Sequence, residues 1–100
     1  MHGAVTAMRE SDRLRHNVYR RTRVKERAIL AERQWAVGHL EDACRTWGLA
    51  LDGYPLVDSG RVDKRMTDMF SLLRPHLRNQ EAQNLYERAR ETVRPELVPA

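Results

Sequence analysis

The sequence predicts an all-α protein made of antiparallel helical hairpins. Apolar residues recur at helical spacing through most of the chain, no segment alternates as a strand would, and a short pattern of small and aromatic residues occurs twice. The two copies read Ala43-x-x-x-Trp47-x-x-Ala50 and Ala82-x-x-x-Tyr86-x-x-Ala89. Alanines at the ends of such a pattern let a neighbouring helix approach closely, and the ring fills the space between the backbones. A unit that recurs at a fixed period is typical of stacked helical hairpins.

The first predicted helix covers residues 9–37. No Gly or Pro occurs between Gly3 and Gly38, so this stretch forms either one long helix or two abutting ones. Residues 9–27 carry eight basic and three acidic side chains, which makes the N-terminal part of the helix basic. Residues 1–8 precede the helix, and we expect them to be disordered.

The second predicted helix begins after Gly38 and ends at Pro55, because proline disfavours helical backbone in the residue before it. Its apolar residues form a continuous stripe with a period of about 3.6 residues. The stripe consists of Leu40, Ala43, Cys44, Trp47, Ala50, Leu51 and Tyr54. Since Cys44 lies on this stripe, we expect a buried apolar residue rather than a nucleophile.

Two further helices complete the prediction. Asp58 or Ser59 is placed to cap the third helix, Pro75 ends it, and Asn79 is placed to cap the fourth. The two apolar stripes are Val62, Met66, Met69, Phe70 and Leu73, then Ala82, Leu85, Tyr86, Ala89 and Val93.

The length of 100 residues predicts a single domain. We expect it to cover residues 9–95, with one unit at 24–55 and another at 58–95. Residues 96–100 then form a C-terminal tail.

Residues 38–55 resemble the second half of a tetratricopeptide repeat. The match is Gly38-x-Leu40-x-x-Ala43-x-x-x-Trp47-x-x-Ala50-Leu51-x-x-Tyr54-Pro55. Leu30 and Ala31 stand where the family has a Leu-Gly pair, whereas Arg27 replaces its tryptophan and Gln34 its tyrosine. The second copy matches less well, and the period of 39 residues exceeds the family's value of about 34. The resemblance implies two tetratricopeptide-like units, to which the charge pattern adds a long basic N-terminal helix.

A narrower resemblance rests on Leu30-Ala31-Glu32, Ser59-Gly60-Arg61 and Leu73-Arg74-Pro75-His76, together with the residues above. These stretches look like the C-terminal tetratricopeptide-like domain of actinobacterial helix-turn-helix transcriptional regulators. The resemblance implies a regulatory protein, either a stand-alone relative of such a regulator or a part of one.

The tetratricopeptide resemblance also implies a binding groove, because the first helix of each unit lines a concave surface in that family. Position by position, this surface corresponds to Lys25, Ala28, Glu32, Trp35 and Ala36 in the first unit, and to Lys64, Thr67, Ser71, Arg74 and Pro75 in the second. Trp35 lies off the packing row of its helix, so we expect it to face the groove as an anchor for a protein or peptide ligand.

No enzymatic arrangement occurs in the sequence. The four histidines are scattered, without the spacing of a metal site, and the five glycines form no phosphate loop. We therefore expect no enzymatic activity, no metal and no cofactor.

Nucleic-acid binding through the basic segment 9–27 is the alternative function. Arg20, Arg21, Arg23 and Arg27 are the candidate phosphate contacts. Against this interpretation, Tyr19 is the only aromatic residue nearby, and no helix-turn-helix pattern is visible.

Other expectations concern partners and location. Leu14, Val18 and Tyr19 precede the first unit and have no repeat partner, so the basic segment either caps the stack or pairs with another chain, as in a homodimer. The single cysteine fits a reducing cytoplasm. The absence of a long apolar run predicts no contact with a membrane.

Overall fold

The computed structural model describes the backbone of residues 2–100 and the side chains of residues 18–100. Residues 2–100 contain no strand and form four α-helices, which confirms the predicted fold class. The helices are α1 (His2–Ala36), α2 (Leu40–Gly53), α3 (Gly60–Leu73) and α4 (Gln80–Thr92). Single 3-10 turns follow the last three helices, at Tyr54–Leu56, Arg74–His76 and Pro95–Leu97.

Helix α1 ends in a turn that depends on Gly38. Gly38 has a φ of +88°, a left-handed conformation that glycine adopts without steric cost. The N–H of His39 donates to the carbonyl of Gln34, and the N–H of Gly38 donates to that of Trp35. These two bonds satisfy carbonyls that the end of the helix leaves free, as in a Schellman motif. The predicted helix end is therefore confirmed.

The N-terminal part of α1 bears on two further predictions. The helix is continuous from His2, whereas the sequence predicts disorder for residues 1–8. The basic residues that precede Val18 are not among the residues whose side chains the structure describes. The disorder of residues 1–8 and the basic character of the N-terminal helix stay predictions.

The predicted caps and stops of the later helices are found at the expected places. Asn79 caps α4 by accepting hydrogen bonds from the backbone N–H groups of Glu81 and Ala82, at 2.9 and 3.2 Å. Ser59 occupies the N-cap position of α3 with an extended backbone, but its side chain makes no capping bond. Helices α2 and α3 both give way to 3-10 turns that contain a proline at their second position.

The helices pack as two hairpins with one shared core. Helix α1 lies along α2 and also contacts α3, while α4 contacts both α2 and α3. The four alanines of the recurring pattern are each at most 1% exposed, and Trp47 is fully buried. The pattern therefore marks the faces through which the helices meet. Leu97 and Val98 also pack against this core, so the segment predicted as a C-terminal tail contacts the body.

Polar contacts join the helices at the edges of the core. The Arg65 guanidinium lies 2.7 Å from Glu32 and links α3 to α1. Arg88 of α4 donates to the carbonyl of Gly48 at 3.1 Å and pairs with Asp52 of α2. These contacts fix the two hairpins relative to each other.

Because α1 and α2 approach closely at Gly53, we expect a larger residue at this position to destabilise the fold. A Cβ atom added at Gly53 would lie 2.8 Å from Cγ2 of Val24, which is itself buried. Gly53→Ala should therefore lower the free energy of unfolding by about 1–3 kcal/mol, the usual cost of overpacking. Chemical denaturation of the two proteins measures the difference.

Gly48→Ala is the matched control for this experiment. Its new Cβ would meet only the guanidinium of Arg88, at 3.3 Å, and this flexible side chain can move. Because alanine favours the helix interior by up to about 1 kcal/mol over glycine, this variant should be neutral or more stable. Equal losses in both variants would contradict the proposed contact with Val24.

Candidate interaction site

Exposed apolar side chains gather where α1 enters the helical body. Residues 18–23 of α1 have no buried side chain, and burial begins at Val24. Tyr19 is 60% exposed, and Leu56, in the 3-10 turn after α2, is 64% exposed. Single exposed apolar residues are ordinary on a protein surface, but these two line one cleft.

This surface is named the Tyr19–Leu56 cleft. It has a volume of about 380 Å³ and forms where the end of α2 meets α1. Its lining consists of Tyr19, Arg20, Arg23, Val24 and Arg27 from α1, with Gly53 and Leu56 from the other side. The cleft therefore combines an apolar surface with three arginines.

The cations of this segment are not neutralised within the described part of the chain. No carboxylate of residues 18–100 lies within 4.0 Å of Arg20, Arg21, Arg23, Lys25 or Arg27. Arg23 donates to the hydroxyl of Tyr19 at 3.2 Å, and its guanidinium lies 5.6 Å from the centre of the Tyr19 ring. Arg27 donates to the carbonyl of Leu49 at 3.4 Å.

A second, more polar cleft lies on another face of α1. It has a volume of about 640 Å³ and joins Val18, Arg21, Thr22 and Lys25 to the first turn of α3. Of the four arginines predicted to contact nucleic acid, Arg21 lines this cleft, and the other three line the Tyr19–Leu56 cleft. The structure thus separates them onto two faces.

The predicted groove on α1 and α3 requires one correction. Ala28 is fully buried in the core and so does not line a surface. The tetratricopeptide alignment placed it there, but the packing of α1 against its neighbours turns this position inward. The other candidates on α1 are Lys25 and Glu32, which are half-buried, and Ala36, which is exposed at the helix end.

The candidates from α3 mostly contact their own helix. Lys64 pairs with Asp68 at 3.4 Å. The hydroxyls of Thr67 and Ser71 donate to backbone carbonyls of α3, and Arg74 and Pro75 are exposed in the following turn. All five of these side chains remain at least partly exposed to solvent.

Trp35 is half-buried between two rings. Its ring centre lies 5.5 Å from that of Trp47 and 4.9 Å from that of His76, which meets it edge to face. Aromatic pairs at this separation stabilise packing beyond the area that they bury. Trp35 therefore contributes to the core and presents only part of its surface to a ligand.

The single cysteine, Cys44, is buried. Burial, followed by the charges of Glu81 and Glu41, raises the pKa of the Cys44 thiol above its ordinary value, so the thiol stays protonated and unreactive at neutral pH.

Within residues 18–100, no three His, Cys, Asp or Glu side chains are grouped so as to hold a metal ion. Among the described helices, none has the length and apolar character needed to cross a bilayer.

Tyr54 lies in a network that joins the two hairpins. Its hydroxyl donates to Oδ1 of Asp63 at 2.8 Å, and Arg94 donates to the same carboxylate and to the carbonyl of Val57. Burial, followed by the hydrogen bond to Asp63, raises the pKa of Tyr54 above its ordinary value of 10.0. The folded protein therefore holds this proton more firmly than the unfolded chain does.

This shift predicts how Tyr54 contributes to stability at alkaline pH. Its contribution should be complete below pH 10.0 and should fall above it, because the unfolded chain releases the proton first. Tyr54→Phe lacks this group and should lose about 1 kcal/mol near neutral pH through the missing hydrogen bond. Chemical denaturation should show that the free energies of unfolding of the two proteins converge as the pH rises above 10.0. Parallel profiles would show that the proton of Tyr54 is held no more firmly in the folded state.

Comparison with known proteins returns no relative. No protein-family model matches the chain, and no curated protein or solved structure matches it either. The function is therefore inferred from the residues and their geometry.

The sequence pointed to only part of this site. It singled out the arginines by their density and Tyr19 by its lack of a repeat partner, but it did not identify Leu56. The sequence feature that could have identified Leu56 is its position, because it is an apolar residue directly after Pro55 that does not belong to the apolar stripe of α2. Its placement beside Tyr19 depends on how α2 ends against α1.

Proposed function

We propose that the chain is a non-enzymatic helical module that binds a protein or a peptide. The observation that carries this proposal is the Tyr19–Leu56 cleft, which is lined by two exposed large apolar side chains and by three arginines. Aromatic residues and arginine are enriched at protein interfaces.

The finer part of the proposal concerns family and process. The recurring alanine and aromatic pattern supports two tetratricopeptide-like units, and the narrower resemblance supports a regulatory role in the cytoplasm, as part or relative of a bacterial transcriptional regulator. The four-helix arrangement is compatible with this assignment. In this proposal, the exposed Val18 and Tyr19 also make α1 a candidate for pairing with a second chain.

Site-specific crosslinking tests the proposed function. A photoreactive amino acid at position 56, in the full chain expressed in its native cells, should form a discrete adduct with a protein. The same group at position 90, which is exposed on α4, is the control and should give none. An adduct that persists after nuclease treatment supports the proposal, whereas a lack of adducts at position 56 contradicts it.

Nucleic-acid binding is the second candidate function. Arg20, Arg21 and Arg23 are exposed, and none has a carboxylate partner among residues 18–100, so they could neutralise phosphates. This function predicts crosslinks that nuclease removes. It also predicts that affinity falls linearly with the logarithm of salt concentration.

A further inference from the structure

Some arginines of the described residues pair with carboxylates, whereas those that line the Tyr19–Leu56 cleft do not. Where helices meet, arginines pair with carboxylates: Arg65 with Glu32, and Arg88 with Asp52. Around the Tyr19–Leu56 cleft, the three arginines have no carboxylate partner within the described side chains. Three arginines without a carboxylate partner among residues 18–100 thus line the cleft, whereas the arginines of these two helix contacts are compensated.

The spacing of these arginines places them close together. Arg20, Arg23 and Arg27 are three, four and seven residues apart on one helix, so their side chains share one side of α1. Like charges at such spacing repel each other and destabilise a helix. Glu26, the only acidic residue of this stretch, does not line the cleft. Carboxylates supplied by a partner would relieve this repulsion.

The remainder of the cleft is apolar. Tyr19 and Leu56 expose most of their surface, and Gly53 adds a wall without a side chain. A volume of about 380 Å³ lies in the lower part of the range of about 300–1,000 Å³ for ligand pockets. Such a cleft suits apolar side chains projecting from a peptide segment.

We propose that the Tyr19–Leu56 cleft binds an acidic peptide segment of a partner protein. An apolar side chain of the segment lies between Tyr19 and Leu56, and its carboxylates pair with Arg20, Arg23 and Arg27. This assignment rests on the proposed function as a protein-binding module and adds the chemistry of the partner.

Two observations favour an acidic peptide over a nucleic acid at this cleft. The Arg23 guanidinium already lies over the Tyr19 ring, at 5.6 Å from its centre, and so occupies one of the two ring faces on which a base could stack. Leu56 is aliphatic and offers a base no stacking surface, whereas an apolar anchor of a peptide would cover it.

Selection from a display library of random linear peptides against the full chain tests the proposal. We expect enriched peptides with an apolar residue flanked by Asp or Glu. Their binding should weaken at least about tenfold in Leu56→Ser, as for an anchor residue, and severalfold in Arg23→Gln. Val37→Ser and Arg90→Gln alter exposed residues outside the cleft and should leave affinity unchanged. Thermal melts of each variant confirm that it is folded.

The possible outcomes separate this inference from the proposed function. Enrichment of peptides without acidic residues, or binding that Leu56→Ser leaves intact, overturns the acidic-peptide assignment while the binding function stands. Binding of oligo-dT with no enriched peptide overturns both. A dimer of the chain that Leu56→Ser dissociates also overturns the assignment, because a second copy would then occupy the cleft.

Discussion

Replacing Trp47 with alanine should lower the free energy of unfolding by about 3–5 kcal/mol, the cost of removing a large buried aromatic side chain. Trp47 is fully buried at the centre of α2 and packs against the ring of Trp35. Its loss would leave a cavity between the first hairpin and the rest of the core. Because a domain of this size has only about 5–15 kcal/mol of stability, the variant should be close to unfolding.

Trp47→Phe provides a sharper test of the same site. The indole Nε1 of Trp47 is buried and has no hydrogen-bond partner among residues 18–100, so phenylalanine would remove an unsatisfied donor together with part of the ring. The loss should therefore be clearly smaller than for alanine. Chemical denaturation of the three proteins gives the two differences.

Trp35→Ala is the matched comparison, since Trp35 is only half-buried. It should cost less than Trp47→Ala, and because the two rings touch, the double variant should lose less than the sum of the single losses. If Trp47→Ala melts at the temperature of the parent, the central position of this residue in the core is refuted.

Enlarging the alanines of the recurring pattern should have the second largest effect. Ala43 is fully buried on α2 and Ala82 is 1% exposed on α4, two helices that contact each other. Leucine at either position should lower the free energy of unfolding by about 1–3 kcal/mol through overpacking. Both variants keep a residue of good helix propensity, so the loss would come from packing.

Ala36→Leu is the control for this pair, because Ala36 is exposed at the end of α1. It makes the same chemical change without a close neighbour and should stay within about 0.5 kcal/mol of the parent, as surface substitutions do. Thermal melts of the three variants suffice for the comparison. Equal stability of Ala43→Leu and Ala36→Leu would mean that the alanines do not mediate a close helix contact.

The sequence by itself determined the helical fold class and most of the residues that α2, α3 and α4 bury. Gly38 marked the end of α1, and Asn79 the start of α4, because each meets a local requirement of the backbone at a helix end. The alanine and aromatic pattern predicted the buried faces of α2 and α4, since a helical period alone decides which residues share a face.

Only the tertiary structure decided which surfaces remain open. Ala28 was expected in a groove and is buried, while Trp35 was expected to be an anchor and packs between Trp47 and His76. Leu56 and Tyr19 line one cleft because α2 ends close to α1, where Gly53 leaves no side chain. Such contacts depend on the relative placement of helices that are distant in sequence. The period of one helix contains no information about its neighbour's position, and this explains why the cleft could not be predicted.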